Sequence, residues 1–265
     1  MADTAGAAPA SGLVASGRVQ SLERAIALLE AVADTSPEGK PVAALAVRCG
    51  INRATAWRLL ATLEAHGLVD RDPSTQRYTV GFAVSRLAAS AGVDGFVRRA
   101  HPTLVRLSGQ TGETADLAVA RPLGLTYVDE VAPPAVLTAN WLGRQVPLHA
   151  TSSGKALLAW LPDPDVAALL GERLTRYTAS TLTSLRALRA ELAQTRGRGY
   201  GVCVGELEPT LNGVSAPVLD ARSRPVAVLS VWGPGDRVPP ERFAALGELT
   251  VRAAADVARI AAGLP

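Results

Sequence analysis

Residues 41–68, PVAALAVRCGINRATAWRLLATLEAHGL, constrain this chain more than any other stretch, because they read as two short helices around a tight turn at Cys49, Gly50 and Ile51. Val42, Leu45, Ala46 and Cys49 follow an i, i+3, i+4, i+7 pattern, and Ala56, Leu59, Leu60 and Leu63 repeat it. Each helix therefore has one face to bury. Pro41 suits the first helical turn, Gly50 can adopt the left-handed conformation that ends a helix, and Asn52 can cap the next one. Arg53, Ala54, Trp57, Arg58 and Ala61 are left facing outward. Such a face on the second of two helices suits the DNA major groove.

The flanks extend this pattern. Leu22, Ala25, Ile26 and Leu29 make an apolar stripe that predicts a helix to about residue 33, with Ser21 as its N-cap. Extended runs at 68–71 and 77–80 enclose Asp72-Pro73-Ser74-Thr75-Gln76, a loop with hairpin chemistry. Three helices followed by a hairpin is the order of a winged helix-turn-helix. Arg71 and Arg77 fall on the two arms of the wing, where they can hold the DNA backbone. Charge supports this: residues 40–90 carry seven basic side chains against three acidic ones, while the whole chain has a net charge of only +3. Only this segment has the sign that phosphate contacts need.

The 265 residues are 48% hydrophobic and 19% charged, which excludes a chain disordered throughout. Residues 1–17 are small and polar and read as a disordered tail without an export signal. No apolar run reaches the roughly 18 residues a membrane span needs, so the expected location is the cytoplasm, with no membrane partner. Cys49 and Cys203 lack metal-site spacing and do not suggest a disulfide scaffold.

Val84, Leu87, Ala88 and Ala91 predict a connecting helix closed by Gly92 and Gly95, with a domain boundary at 91–95. Helices are expected beyond it at about 96–110, 153–160, 165–170, 183–198 and 241–262. Strands are expected at 115–120, 125–131, 136–140, 200–204, 214–219 and 225–232. Short turns between adjacent strands imply a mainly antiparallel sheet packed by helices, an α+β architecture without a Rossmann crossover.

Several segments, in order, resemble the IclR-type bacterial transcriptional regulators: VQSLERA (19–25), INRATAWRLLATLEAHGLV (51–69), RYTVG (77–81), PLHATSSGKALLAWLP (147–162), RGRGYGV (196–202) and SAPV (215–218). The resemblance covers about residues 19–262. It implies a winged helix-turn-helix over 18–81, a linker helix over 82–95 that helps dimerisation, and a GAF-like effector-binding and oligomerisation domain over 96–265. In the family's DNA-facing motif a basic residue, Ser-Thr and a later Arg match Arg53, Ala54-Thr55 and Arg58. Ala54 replaces the usual serine, and Trp57 stands where a polar or smaller aromatic residue is common; it can meet a thymine methyl or a sugar edge. The candidate DNA-binding set is Asn52, Arg53, Ala54, Thr55, Trp57, Arg58, Arg71 and Arg77. The competing reading of the two helix arginines is a solvated face.

The loop HATSSGK at 149–155 is the leading candidate for a ligand site, since Ser152, Ser153 and Gly154 at a helix start can offer backbone N–H groups to a carboxylate. The competing reading is a plain capping loop. Relatives that bind small organic acids tend to have Asp, Cys and Ser at the positions of Cys203, Gly213 and Trp232, and Ser at Ser230. Only Ser230 persists. The lower polarity points to an effector with an aromatic or apolar body and one carboxylate or amide, touching Trp141, Ser152, Ser153, Gly154, Cys203, Gly213, Ser215, Ser230 and Trp232. Trp141 and Trp232 read equally well as core or interface residues.

Enzyme chemistry is the rival class. Ser152 to Lys155 fits S-x-x-K, but S-D-N and K-T-G are absent from the sequence. His66, His101 and His149 read as a helix end, an apolar helix face and a strand-to-helix loop, so no catalytic residue, metal or cofactor is expected. A third reading is a DNA-binding protein whose second domain only oligomerises. The leading expectation is a repressor of a catabolic or metabolic operon, acting as a homodimer or dimer of dimers on a palindromic operator.

Overall fold

The computed structural model describes residues 19–91, 93–133, 141–171 and 173–262. The chain divides into two compact units, Met1–Gly92 and Val93–Pro265. The expected tail at 1–17 and strand at 136–140 lie outside the described residues.

The first unit runs α1 (Gln20–Ala33), β1 (Lys40–Pro41), α2 (Val42–Arg48), α3 (Arg53–Ala65), β2 (Val69–Arg71), β3 (Arg77–Val80) and α4 (Phe82–Ala91). Its core gathers Leu28 and Val32 from α1, Leu45 and Ala46 from α2, Ala56, Leu60 and Leu63 from α3, and Val69 and Tyr78 from the hairpin. The stripes read for α2 and α3 face this core, but the one read for α1 does not: Leu22 and Ile26 are exposed and Ala25 and Leu29 only half-buried, because the helix turns Leu28, Ala31 and Val32 inward. Gly50 has φ +63°, and the Ile51 N–H donates to the Ala46 carbonyl at 3.1 Å. A residue with a Cβ would be strained in that left-handed position, so glycine makes the turn between α2 and α3 cheap. Asn52 caps α3 by accepting from the Thr55 N–H at 2.7 Å. The N-cap of α1 is Val19, without a side-chain bond, rather than Ser21, because the helix starts one residue before that serine.

Pro41 stands just before α2 rather than inside its first turn, and with Lys40 it forms a third strand beside the hairpin: Lys40 pairs with Tyr78 and Pro41 with Arg77. A two-residue strand gives no periodic signal. The turn between β2 and β3 is held by Asp72, whose carboxylate accepts from Ser74 Oγ at 2.6 Å and from the Ser74 and Thr75 N–H groups at 2.8 Å. These bonds hold its pKa down to about 2.

The second unit runs α5 (Asp94–Thr111), β4 (Thr114–Arg121), β5 (Gly124–Val131), α6 (Ser152–Leu158), α7 (Asp163–Leu170), α8 (Leu185–Arg198), β6 (Gly201–Val204), β7 (Leu211–Leu219), β8 (Pro225–Pro234), a 3-10 turn (Pro240–Arg242) and α9 (Phe243–Ala261). The five strands lie in the order β5-β4-β8-β7-β6 and all pair antiparallel. Gly95 lies inside α5 and closes no helix, a correction to the sequence reading.

Strand alternation sends two sets of side chains to opposite faces of this sheet. Ala115, Leu117, Val214, Ala216, Leu229 and Val231 pack with Leu104 and Leu107 of α5 and Leu246, Ala254 and Val257 of α9. On the other face, Ala118, Tyr127 and Val228 pack with Ala156, Leu157 and Leu158 of α6 and Leu188 and Leu192 of α8. That second face also carries a polar row, since Glu130 is paired with Asp116, Asp116 with Ser230, Ser230 with Ser215, and Ser215 with Gly201.

Candidate functional site

In the first unit, α3 and the wing enclose an open groove of about 1300 Å³, lined by Pro41, Val42 and Ala43, by Arg53, Ala54, Trp57 and Arg58, and by Arg71, Gln76 and Tyr78. Three of these side chains are cationic and none is acidic. Trp57 is 52% exposed, which is high for an indole. Arg53 and Arg58 are exposed on α3. Arg71 donates to the Gln76 side-chain oxygen and lies 5.9 Å from the centre of the Tyr78 ring. Arg77, in contrast, points to the loop before β1 and donates to the Gly39 carbonyl at 3.2 Å; it is absent from the groove lining. Thr55 is tied to the Asn52 cap through its backbone N–H.

In the second unit, a cleft of about 520 Å³ of atom-free space, partly open to solvent, lies on the α6 side of the sheet. Trp141, Ser152, Cys203, Gly213, Ser230 and Trp232 all line it, joined by Tyr127, Pro147, Thr151, Leu207, Glu208, Leu211 and Asn212. The sheet register gathers the sequence-predicted members: Cys203 pairs with Gly213, Gly213 with Trp232, and Ser215 with Ser230. A Cβ added at Gly213 would lie 3.0 Å from Trp232 Cβ and 3.1 Å from Ser152 Oγ, so the missing side chain lets β8 and the start of α6 approach this closely.

Ser153, Gly154 and Ser215 do not line the cleft. The Gly154 N–H is not free, because Thr151 caps α6 and its Oγ1 accepts that N–H at 3.0 Å. An added Cβ at Gly154 would fall 2.1 Å from the Leu148 carbonyl oxygen, so this glycine serves the close approach of two backbones. Ser153 Oγ bonds the Tyr127 hydroxyl at 3.0 Å, and Ser215 Oγ donates to Ser152 Oγ at 2.8 Å. The loop is therefore built as a cap whose Ser152 alone, of the three predicted residues, reaches the cleft.

Asp116 is the residue the sequence reading missed. It is buried behind Trp232, whose Nε1–H donates to its Oδ2 at 2.7 Å. Burial pushes its pKa up to about 8, opposed by Ser230 and Trp232 and reinforced by the Glu130 charge. An Asp inside the apolar run TADLAVA was the available signal. Ser230 is 2% exposed and lies directly opposite Asp116 in the sheet, where its hydroxyl works against the rise of the Asp116 pKa. Cys203 donates to the Ala150 carbonyl at 3.4 Å, and burial raises its thiol pKa.

The S-x-x-K lysine is committed elsewhere. Lys155 Nζ donates to Glu206 Oε1 at 2.5 Å and to the Val202 carbonyl at 3.0 Å, in a buried ion pair. His149 bonds the Thr175 carbonyl at 2.7 Å, while His101, read as lying on an apolar face, is instead half exposed and meets Asp129 at 2.9 Å. Among the described residues no His, Cys, Asp and Glu side chains group in a way that could hold a metal, and no helix is long and apolar enough to cross a membrane.

Residues 21–73 match the IclR helix-turn-helix domain, and residues 90–259 match the bacterial transcriptional regulator IclR C-terminal domain. The chain belongs to the IclR family. It is 33% identical to the HTH-type transcriptional regulator XynR of Escherichia coli K12, over 93% of this chain and 98% of that protein. It is 32% identical to the acetate operon repressor of Salmonella typhimurium LT2, over 91% of this chain and 89% of that one. The Thermotoga maritima IclR crystal structure matches with a TM-score of 0.60 at 27% identity, covering 90% of this chain and 97% of that one. As an IclR-family member, the chain is a DNA-binding transcriptional regulator with an N-terminal helix-turn-helix and a C-terminal α+β domain.

Proposed function

We propose that this regulator represses a catabolic or metabolic operon, reading its operator with α3 and releasing or tightening its hold when a small effector fills the cleft beside Trp232. The observation that carries the DNA half is the groove between α3 and the wing, cationic at Arg53, Arg58 and Arg71 and free of acidic side chains. Arg53 and Arg58 contact bases or phosphates, Asn52 and Thr55 fix the start of α3, and Arg71 holds the backbone beside the wing. Arg77 acts mainly through the loop it braces. The acetate operon repressor among its relatives supports repression as the sign.

For the effector half, two indoles, Trp141 and Trp232, together with the polar side chains of Ser152, Asn212 and Ser230 in the same lining, favour an aromatic body carrying at least one polar group. An aromatic acid or a related compound meets that description. The chain is not an enzyme in this reading: Lys155, the lysine of the S-x-x-K match, is held in an ion pair with Glu206. It works in the cytoplasm, where its operator is. Exposed Val19 at the start of α1, Leu22 and Ile26 on α1, and Phe82 and Leu87 on α4 support pairing of two copies as a homodimer, or as a dimer of dimers. Each dimer presents two α3 helices to successive major grooves of a palindromic site. Effector binding shifts the balance between dimer arrangements and so changes DNA affinity.

The test is the affinity of the full chain for duplexes selected from a random-sequence pool, with and without a panel of aromatic and aliphatic acids. Aromatic acids should shift both DNA affinity and thermal stability, and Trp232→Ala should abolish the shift. A response only to small aliphatic hydroxy- or keto-acids would discard the aromatic effector. DNA binding indifferent to every compound would reduce the second unit to an oligomerisation module.

A further inference from the structure

Trp57 breaks the rule that large apolar side chains on a short helix turn inward. Ala56, Leu60 and Leu63 already fill the buried side of α3, and the indole stands beside it, half in solvent. It is three residues from Ala54 and four from Arg53, spacings that put all three on one helical face. It lines one groove with Pro41, Val42 and Ala43, so the reading face contains an apolar slot whose lining also carries guanidinium groups. The bulkiest apolar feature of a base edge in the major groove is the C5-methyl of thymine, set among hydrogen-bond donors and acceptors. Ala54 adds to the argument because a methyl side chain donates no hydrogen bond.

We infer that Trp57, with Ala54 beside it, reads the 5-methyl group of a thymine in the operator, next to the bases or phosphates that Arg53 and Arg58 engage. The inference rests on the DNA-reading role proposed for α3 and adds to it a specificity determinant. The arginine charges supply attraction to any duplex, whereas the slot distinguishes a methylated pyrimidine edge from the others. Cytosine methylated at C5 presents the same group, so the experiment has to separate the two.

The full chain is first used to enrich duplexes from a random-sequence pool. In the winning sequence each thymine is then replaced singly by deoxyuridine, which removes only the methyl. At one thymine in each half-site this should weaken binding about four-fold, the worth of one buried methyl. Trp57→Ala should bind the thymine and uracil duplexes equally. Trp57→Leu, apolar but without an indole N–H, should retain part of the preference, which separates methyl packing from hydrogen bonding. A duplex with cytosine at that position should bind as weakly as the uracil duplex or more so, and methylating that cytosine should recover only part of the loss. Full recovery would mean that the slot reads any 5-methyl pyrimidine, and the assignment to thymine would fall. Equal affinity for thymine and uracil duplexes in the wild type, or a uracil penalty undiminished in Trp57→Ala, would overturn the inference while leaving α3 as the reading helix. Enrichment of no sequence at all would overturn the DNA-reading role itself. Because Trp57 lies outside the core, circular dichroism of each variant should match the wild type.

Discussion

Arg53, Trp57 and Arg58 stand open on α3, whereas Ser152, Trp232 and Lys155 in the second unit are buried or half-buried and already bonded to Ser215, Asp116 and Glu206. The two sites are thus made on opposite plans. A face that must meet a large, charged, hydrated partner keeps its groups exposed and contributes little to its own unit's stability. A cleft that encloses a small molecule is cut from the core, and its walls are also structural members. Function and stability should be separable in the first unit and entangled in the second.

The largest effect should come from breaking the buried ion pair. Lys155→Met leaves the Glu206 carboxylate buried without its partner and should destabilise the second unit by about 3–5 kcal/mol in denaturant unfolding. Lys155→Met with Glu206→Leu should recover most of that loss. A single variant as stable as the wild type would show that the pair is not the tie between α6 and the loop after β6.

On the other side of the comparison, Arg58→Ala should weaken operator binding by about 1–3 kcal/mol, measured by fluorescence anisotropy, with no change in melting temperature. Loss of stability together with affinity would contradict the open-face plan.

The effect that is smallest at any one step, though it accumulates across the window, is a matter of pH. Burial holds the Asp116 carboxyl neutral, with its pKa pushed up to about 8, while in the unfolded chain it ionises near pH ~4. Between those values the folded chain binds the extra proton, so this group makes stability fall as pH rises from about 4 to about 8, and the loss levels off above. Asp116→Asn removes the titration and keeps an oxygen for the Trp232 N–H. The stability difference between wild type and variant should slope by at most about 1.4 kcal/mol per pH unit in that window. A difference that does not vary with pH would mean that Asp116 is ionised in the folded protein.

Much of this architecture was legible beforehand, because helices and strands with one buried face leave periodic marks. The stripes of α2 and α3, the Gly50 turn and the Asn52 cap are local signals that the fold obeys, whereas α1 buries Leu28, Ala31 and Val32 in place of the stripe through Leu22 and Ile26. What escaped depends on contacts distant in sequence. β1 exists only because Lys40 and Pro41 meet Tyr78 and Arg77, and no spacing within 40–41 announces it. Gly154 looked like a ligand loop because a glycine at a helix start suits an anion equally well, and only the Leu148 backbone reveals its packing role. Asp116 was overlooked since its partner Trp232 comes 116 residues later.

The pairing of Trp232 with Gly213 has a consequence for the width of the cleft. The two positions face each other across β7 and β8. A Cβ at 213 would stand 3.0 Å from Trp232 Cβ and 3.1 Å from Ser152 Oγ, tighter than side chains ordinarily pack. Any side chain there would push on the β8 wall and on the start of α6 at once, so a single backbone position gauges how far apart those two walls stand.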